Sequence, residues 1–465
     1  MKKQFLIYST ISIFNLCLFS GIFSLFQNPT IYDKSLGKIS SNYERTGSWN
    51  NYKIQKVNKP YIEITNSNLL WWDAPIYQCI SKKLYLKEEA CYGKVRAAFF
   101  PLFPMLWKVT NSSAISISII NYFLYAAGLM LMFLYFASGS AFTKSTNFAL
   151  LLAFPTTIIF FIPYTEALFL FCFTIAAVGI LKNKNLLYFL GAFLTAMVRP
   201  ATIFVLFAIL LAEVFSATKH KNLKLYLQQS FFRGLPFGLG YTVALGIQRG
   251  SSGSWTAFTD AHAYWAGGIQ KLEAIVDWSI EGFGMNVFAI IFISVPALIF
   301  VFYLMLDVLT KSKSFLSSLQ SNKTNYLFLI SALYISGLLI FTVLTSSGNL
   351  HSYFRFTMTS PLFYLAAIIL LGYLSHSRTR YAVLCFAILI ILFALFFYNV
   401  PYGGNRLAFS FVGMYLLVAT SGYLLIRSHI PKLIDLPIIL LLIVSNSIWT
   451  TFLFNSYLSN GWIFT

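Results

Sequence analysis

The chain alternates between long apolar runs and short polar stretches over its whole length. Apolar runs of bilayer-spanning length begin near Phe5, Ile115, Phe148, Glu166, Leu187, Ile203, Leu235, Val287, Tyr326, Phe356, Tyr381, Phe409 and Leu436. Because a helix of about 20 apolar residues crosses the hydrocarbon core of a membrane, this pattern predicts about thirteen transmembrane helices. No soluble appendage or linker interrupts it, so residues 1–465 are expected to form one integral-membrane unit.

The first apolar run, from Phe5 to Phe26, follows the basic start Met1-Lys2-Lys3. It is longer than the roughly 7–15 apolar residues of a signal peptide, and no clear cleavage site follows it. We therefore expect it to be a retained first helix.

The composition is that of a membrane protein, with 58% hydrophobic and only 10% charged residues, whereas soluble domains carry about 25% charged residues. The net charge of +19 would suggest a nucleic-acid partner in a soluble chain. Here the Lys and Arg residues lie in short loops between apolar runs, which is typical of topology signals and of contact with anionic lipids. Membrane lipids are therefore the expected partners, and nucleic acid is not.

The charge distribution also predicts an orientation. With the N-terminus in the cytoplasm, the loops on that side contain many basic and almost no acidic residues, as the positive-inside rule requires. The basic residues of these loops are Lys144, Lys182, Lys184, Lys219, Lys221, Lys224, Lys311, Lys313, Lys323, Arg378, Arg380, Arg427 and Lys432. Two long loops, 27–112 and 248–285, lie on the opposite face. The acids, arginines and histidines described below lie on this face as well. In these loops 69–84 and 269–280 are expected to form interfacial helices.

Asp73 lies on this face, directly after two tryptophans and among other aromatic residues. A carboxylate in such surroundings costs free energy unless it has a partner or a task. One interpretation is an N-cap of the segment Ala74 to Leu84, since Pro75 suits a first helical turn. The other is a general base that takes a proton from an attacking hydroxyl.

Glu166 is a second acid on the same face, at the start of an apolar run. A helix-start acid is favoured by the helix dipole alone. Two such acids on one face also suggest a shared cavity, and either of them could be the base.

Several cations lie on the face where positive charge is disfavoured. The candidates are Arg199, Arg355, Arg96 and Lys94. Because arginine binds phosphate through two parallel hydrogen bonds, this group predicts a bound phosphate.

Aromatic and imidazole side chains on the same face could contact a sugar or an acceptor, although membrane anchoring explains the aromatic residues equally well. The candidates are Trp72, Tyr77, Tyr164, His262, Trp265 and His351. Metal-ligand spacings, nucleotide-binding glycine patterns and GxSxG are not found, so neither a metal nor a cofactor is predicted. A disulfide between Cys79 and Cys91 is one possibility for the first loop.

At these residues the chain resembles the PIG-V-like mannosyltransferases, the family of the second GPI mannosyltransferase and its prokaryotic relatives. The motifs that carry the resemblance follow one another in order: Trp72-Asp73-Ala74 with Tyr77 and Ile80, Phe99 to Pro104, Phe154-Pro155 through Tyr164-Thr165-Glu166, Arg199-Pro200, Phe258 to Trp265, Arg355-Phe356 and Gly461-Trp462. Departures from the family pattern are Trp71, Ile76, Leu84, Ala201-Thr202 and His262. They leave the identities of donor and acceptor open.

The resemblance implies a GT-C glycosyltransferase fold in a bacterial inner (plasma) membrane and a polyprenyl-phosphate sugar donor, typically of mannose. It also implies that Asp73 activates a hydroxyl of a lipid-linked or surface glycan, with Arg199, Arg355 or Arg96 at the leaving phosphate. Two alternatives remain. One is a transporter or flippase for an anionic lipid or glycan, and the other is a polysaccharide ligase or polymerase.

Overall fold

The computed structural model describes residues 2–36, 42–48, 51–57, 60–86, 93–217, 223–265, 285–309, 322–345, 353–376, 383–384, 387–391, 409–427 and 430–461. For some of these residues only the backbone is described, among them Lys94, His262 and Trp265.

The protein is built mainly from helices, which coincide with most of the apolar runs. In the first half of the chain they are α1 Lys2–Gln27, α2 Pro29–Lys34, α3 Ala74–Lys83, α4 Leu102–Thr110, α5 Ala114–Phe136, α6 Ala141–Leu152, α7 Glu166–Lys182, α8 Asn185–Val198 and α9 Ile203–Ala217. Short 3₁₀ helices span Gly93–Ala98, Thr157–Phe161 and Pro200–Thr202.

The second half continues in the same way. Its helices are α10 Leu223–Ser252, α11 Ala257–Trp265, α12 Met285–Ala289, α13 Val295–Leu309, α14 Lys323–Thr345, α15 Tyr353–Thr357, α16 Pro361–His376, α17 Phe409–Ile426 and α18 Lys432–Leu458. A single π-helical turn, Ile290–Ser294, joins α12 to α13.

Five helices within the described residues are long and apolar enough to cross a membrane. They cover Lys2–Gln27, Ala114–Phe136, Ile290–Asp307, Lys323–Leu344 and Leu433–Leu458. The protein is thus a helical membrane protein, as the apolar pattern predicts. The total of about thirteen spans and the orientation stay predictions.

The first loop departs from an all-α description. Its strands β1, Asn42–Ser48, and β2, Asn51–Val57, pair antiparallel in one hairpin. The register runs from Asn42 opposite Val57 to Ser48 opposite Asn51. The helix predicted over 69–84 is shorter than expected, since α3 begins only at Ala74.

Small residues let the central helices approach closely. A Cβ atom on Gly179 of α7 would lie 2.4 Å from the backbone nitrogen of Tyr188 in α8. A Cβ on Gly191 of α8 would lie 2.4 Å from the nitrogen of Ala176 in α7. In lipid the hydrophobic effect does not drive helices together, because the lipid tails are as apolar as the side chains. Close van der Waals packing at small residues such as these glycines holds the helices together instead. These contacts fix α7, and with it Glu166 at its first position.

The last helix returns to the beginning of the chain. Phe454 of α18 packs edge-to-face on Phe19 of α1, with ring centroids 5.4 Å apart. The side-chain oxygen of Asn455 accepts a hydrogen bond of 3.0 Å from the backbone N–H of Ile62. The C-terminal end of α18 therefore lies against the part of the first loop that leads to Asp73.

Candidate functional site

Asp73 stands directly before α3, at the backbone position of an N-cap. Its side chain makes no capping hydrogen bond. The interpretation of Asp73 as a side-chain cap is therefore wrong, because its carboxylate turns towards another partner. Trp72, the residue before it, has a φ of +58°, in the left-handed region that few side chains adopt. This sharp turn lies directly before Asp73, at the point where the chain enters α3.

Glu166 is the first residue of α7, and its side chain is fully buried. The turn before it is held by Asn121 of α5, whose Nδ2 donates to the carbonyls of Ile162 and Tyr164 at 2.7 and 2.8 Å. The acid therefore begins its helix, as the sequence predicts, but it faces the protein interior. Its position is set by a neighbouring helix as well as by its own.

Arg355 connects the two acids. Its Nη1 donates to Oδ2 of Asp73 at 2.7 Å, and its Nε donates to Oε1 of Glu166 at 2.6 Å. Arg199 donates from Nη1 to the same oxygen of Glu166 at 3.2 Å. Residues from the first loop, the start of α7, the end of α8 and the short helix α15 thus form one chain of ion pairs. We call these four residues the charge cluster.

The formal charges of the charge cluster balance, with two carboxylates and two guanidinium groups. Charges buried in protein need partners, because removing them from water costs several kcal/mol each. Arg199 and Arg355, two of the cations that the sequence places on the disfavoured face, therefore have protein acids to compensate them. A bound anion is not required to explain their presence.

Access to the charge cluster is uneven. The side chain of Asp73 is 25% exposed, whereas those of Arg355, Arg199 and Glu166 are 7%, 10% and 0% exposed. A ligand approaching the cluster would therefore meet Asp73 first. The second oxygen of Glu166, Oε2, is buried and has no hydrogen-bond partner within the described residues.

Aromatic rings support the guanidinium groups. The Cζ atom of Arg355 lies 4.4 Å from the centre of the Tyr164 ring, and that of Arg199 lies 5.1 Å from the Phe356 ring. The Tyr164 hydroxyl accepts a hydrogen bond of 3.4 Å from the backbone N–H of Asp73. Tyr164 is completely buried, so in this structure it supports the charge cluster and does not line an open surface.

Tyr77 of α3 lies beside the same acids. Its hydroxyl donates to Oγ1 of Thr165 at 3.5 Å, and its ring packs edge-to-face on Phe99 and Phe103. Burial, together with the nearby charges of Asp73 and Glu166, raises the pKa of the Tyr77 hydroxyl above its ordinary value. The hydroxyl therefore stays neutral and can act as a hydrogen-bond donor.

The other candidate site residues are not part of the charge cluster, or their side chains lie outside the described residues. Trp72 donates from Nε1 to the carbonyl of Gly461 at 3.3 Å. Arg96 is buried on the 3₁₀ helix Gly93–Ala98, which packs against α11. The side chains of Lys94, His262 and Trp265, and all of His351, are outside the described residues. Within those residues no group of three or more His, Cys, Asp or Glu side chains could hold a metal ion.

Sequence reasoning missed two residues that shape the site. Asn121 is an isolated amide within an apolar helix, a type of residue that is costly in a membrane unless it is bonded. Tyr457 near the end of α18 donates to the carbonyls of Leu69 and Trp71, just before Asp73. The position of Asn121 within an apolar run is a signal that the sequence contains. Nothing in the sequence distinguishes Tyr457 from the other tyrosines, of which the chain has 28 in all.

Chemically, the charge cluster joins a partly exposed carboxylate to two buried cations. Such a site could accept a proton at Asp73 and stabilise negative charge beside it. Comparison with known proteins adds no further assignment: no family model, no curated protein and no solved structure matches the chain.

Proposed function

We propose that the protein is an inverting glycosyltransferase of the membrane that moves a sugar, typically mannose, from a polyprenyl-phosphate donor to a hydroxyl of a lipid-linked or surface glycan. The observation that carries this proposal is the contact of the partly exposed Asp73 carboxylate with Arg355, at 2.7 Å. It brings a candidate base and a candidate phosphate ligand within one hydrogen bond of each other. A base and a cation that binds the phosphate suffice for a transfer with a phosphate leaving group.

In the proposed reaction the Asp73 carboxylate takes the proton of the acceptor hydroxyl. The acceptor oxygen then forms a bond to the anomeric carbon of the donor sugar, with inversion. The bond between that carbon and the phosphate oxygen breaks, and its electron pair stays on the polyprenyl phosphate. Atoms and charges balance without any further reactant.

The role of Arg355 in this scheme changes during the reaction. A donor phosphate competes with Asp73 for the guanidinium group, and Glu166 keeps Arg355 in place through the separate bond at Nε. Once Arg355 binds phosphate, the Asp73 carboxylate is released from its ion pair and can accept the proton of the acceptor hydroxyl. Arg199, bonded to the same oxygen of Glu166, is the second proposed ligand of the leaving phosphate.

Two observations support an extracytoplasmic site. The basic residues of the short loops favour this orientation. Cys79 in α3 is disulfide-bonded, whereas Cys17 and Cys172 are free, and disulfides persist in oxidising compartments. A disulfide six residues after Asp73 agrees with a first loop outside the cytoplasm.

The transporter alternative receives less support. Groups along a transport route are expected at different depths of the membrane. Asp73, Glu166, Arg199 and Arg355 instead contact one another at helix ends and loops. Their arrangement in one cluster favours chemistry at one surface.

The decisive experiment is sugar transfer by purified protein in a reconstituted lipid-linked assay. Asp73→Asn is expected to insert normally and to lose at least about 10²–10⁴-fold in rate, because the base is removed. Asp33→Asn is the matched control, since Asp33 is an exposed aspartate of the same loop. Full transfer by Asp73→Asn would refute the assignment of the base, and no transfer by the unmodified protein with any lipid-phosphate sugar would refute the function.

A further inference from the structure

The C-terminal end of α18 makes a series of hydrogen bonds to the segment that leads to Asp73. Asn455 accepts from the N–H of Ile62, and the Tyr457 hydroxyl lies 3.0 Å from the carbonyl of Leu69 and 3.1 Å from that of Trp71. Nε1 of Trp71 donates to the carbonyl of Leu458 at 3.0 Å. The paired residues are 386 to 393 positions apart in the chain, so only the tertiary fold brings them together.

Some of these bonds satisfy backbone carbonyls at the end of α18. The last four carbonyls of a helix have no partner within it. In α18 the Leu458 carbonyl takes its hydrogen bond from the indole of Trp71. The backbone then turns at Asn460, with φ +62°, and Gly461 N–H bonds back to the carbonyl of Ser456 at 2.7 Å. This is the closure of a Schellman motif.

The turn also directs the Gly461 carbonyl towards the first loop, where it accepts from Nε1 of Trp72 at 3.3 Å. Both tryptophans before Asp73 are thus hydrogen-bonded to the end of α18. We call the residues Asn455, Tyr457, Leu458 and Gly461 the C-terminal clamp.

The segment held by the C-terminal clamp needs such support. Trp72 adopts a left-handed conformation, which costs free energy for a residue other than glycine and persists only when its surroundings impose it. The Trp71 carbonyl is approached by two hydroxyls, those of Tyr457 at 3.1 Å and Tyr164 at 3.5 Å. The rings of these tyrosines pack edge-to-face, with centroids 6.1 Å apart. The carbonyl that precedes the strained turn is therefore held by two tyrosines.

We infer that the C-terminal clamp is a template that sets the position of the Asp73 carboxylate, with Tyr457 as its main positioning residue. The inference rests on the proposed function of Asp73 as the base. Tyr457 acts through the backbone: it holds the Trp71 carbonyl, the turn at Trp72 follows, and Asp73 is presented to Arg355. A loss of this hold moves the base without removing it.

The test uses Tyr457→Phe in the full-length protein, which removes one hydroxyl and keeps the ring. Tyr8→Phe is the matched control, because the Tyr8 hydroxyl is equally buried and has no hydrogen-bond partner within the described residues. Trp71→Phe, which removes the indole N–H bonded to Leu458, is a second variant with the same expected direction.

The first readout needs no substrate. Hydrogen exchange of the peptide that covers residues 69–77 is expected to become about tenfold faster in Tyr457→Phe, as for the loss of one hydrogen bond, and to stay unchanged in Tyr8→Phe. Unchanged exchange in Tyr457→Phe would overturn the inference, whether or not the protein transfers sugar.

The second readout separates positioning from general stability. In the transfer assay Tyr457→Phe is expected to lower kcat about 10- to 100-fold with the donor KM unchanged, the size of effect seen when a reacting group moves by about 1 Å. Faster exchange with an unchanged kcat would overturn the positioning role and leave the proposed function intact. No transfer by the unmodified protein would instead reject the proposed function, and exchange would still decide whether the clamp exists.

Discussion

The guanidinium group of Arg355 lies 2.7 Å from the carboxylate of Asp73, although 282 positions separate the two residues in the chain. Arg355 lies on α15, a helix of five residues. Hydrogen bonds from neighbouring helical segments hold this short helix in place. The side-chain oxygen of Asn286 accepts the N–H of Phe354 at 2.9 Å, and the hydroxyls of Tyr353 and Ser294 lie 2.6 Å apart. The charge cluster is therefore held by neighbouring helices, and each of its members can be tested separately.

Arg355→Lys is expected to lower kcat/KM about 10²–10³-fold, as for the loss of one group that stabilises the charge of the transition state. Lysine carries the same charge, but it lacks the planar fork that serves Asp73 and Glu166 at once. The measurement is the transfer assay at varied donor concentration. Arg249→Lys, an exposed arginine that faces the Trp255 ring, is the control and should transfer normally. Equal rates in the two variants would contradict the bridging role of Arg355.

Glu166→Gln is expected to reduce stability more than Asp73→Asn does. Glu166 is fully buried and compensates two guanidinium groups, and removing one partner of a buried pair typically costs roughly 3–5 kcal/mol. Asp73 is partly exposed, so water can replace part of its contribution. Thermal unfolding of the detergent-purified variants gives the comparison, with the exposed Glu63→Gln as the control. A smaller loss for Glu166→Gln than for Asp73→Asn would show that the two acids have been ranked wrongly.

Gly191→Ala should destabilise the protein by about 1–3 kcal/mol, as overpacking does. The added Cβ would lie 2.4 Å from the backbone nitrogen of Ala176, so α7 and α8 would have to separate. Gly238→Ala is the matched control on α10, where an added Cβ meets nothing within 4 Å. Alanine should even be slightly favourable there, because it is the better helix former. Similar melting temperatures for both variants would argue against the close approach of α7 and α8.

Cys79→Ser should make one further thiol reactive, because the disulfide partner of Cys79 is released. Thiols are counted by mass tagging of the denatured, unreduced protein. Cys17→Ser is the control and should lose one reactive thiol, since Cys17 is free. If Cys79→Ser also lost one, Cys79 would itself be free, and one support for an extracytoplasmic first loop would disappear.

The sequence predicted most of the helices but not every local element. Most apolar runs coincide with helices, because a backbone in lipid must satisfy its own hydrogen bonds. The hairpin β1–β2 escaped prediction, since its two segments have neither an apolar run nor a clear alternation. The start of α3 at Ala74 agrees with the interpretation based on Pro75 and not with the interfacial helix expected over 69–84. The side chain of Asp73 does not cap the helix, because its carboxylate bonds to Arg355 instead.

The sequence by itself determined that this is a helical membrane protein and that Asp73, Glu166, Arg199 and Arg355 are unusual charges in it. Such facts follow from local composition, because a charge near a membrane is costly whatever surrounds it. Only the tertiary structure decided which charges pair and that the end of α18 holds the turn before Asp73. Most of these contacts join residues between 189 and 388 positions apart in the chain, and a local sequence pattern does not specify which distant segments pack together.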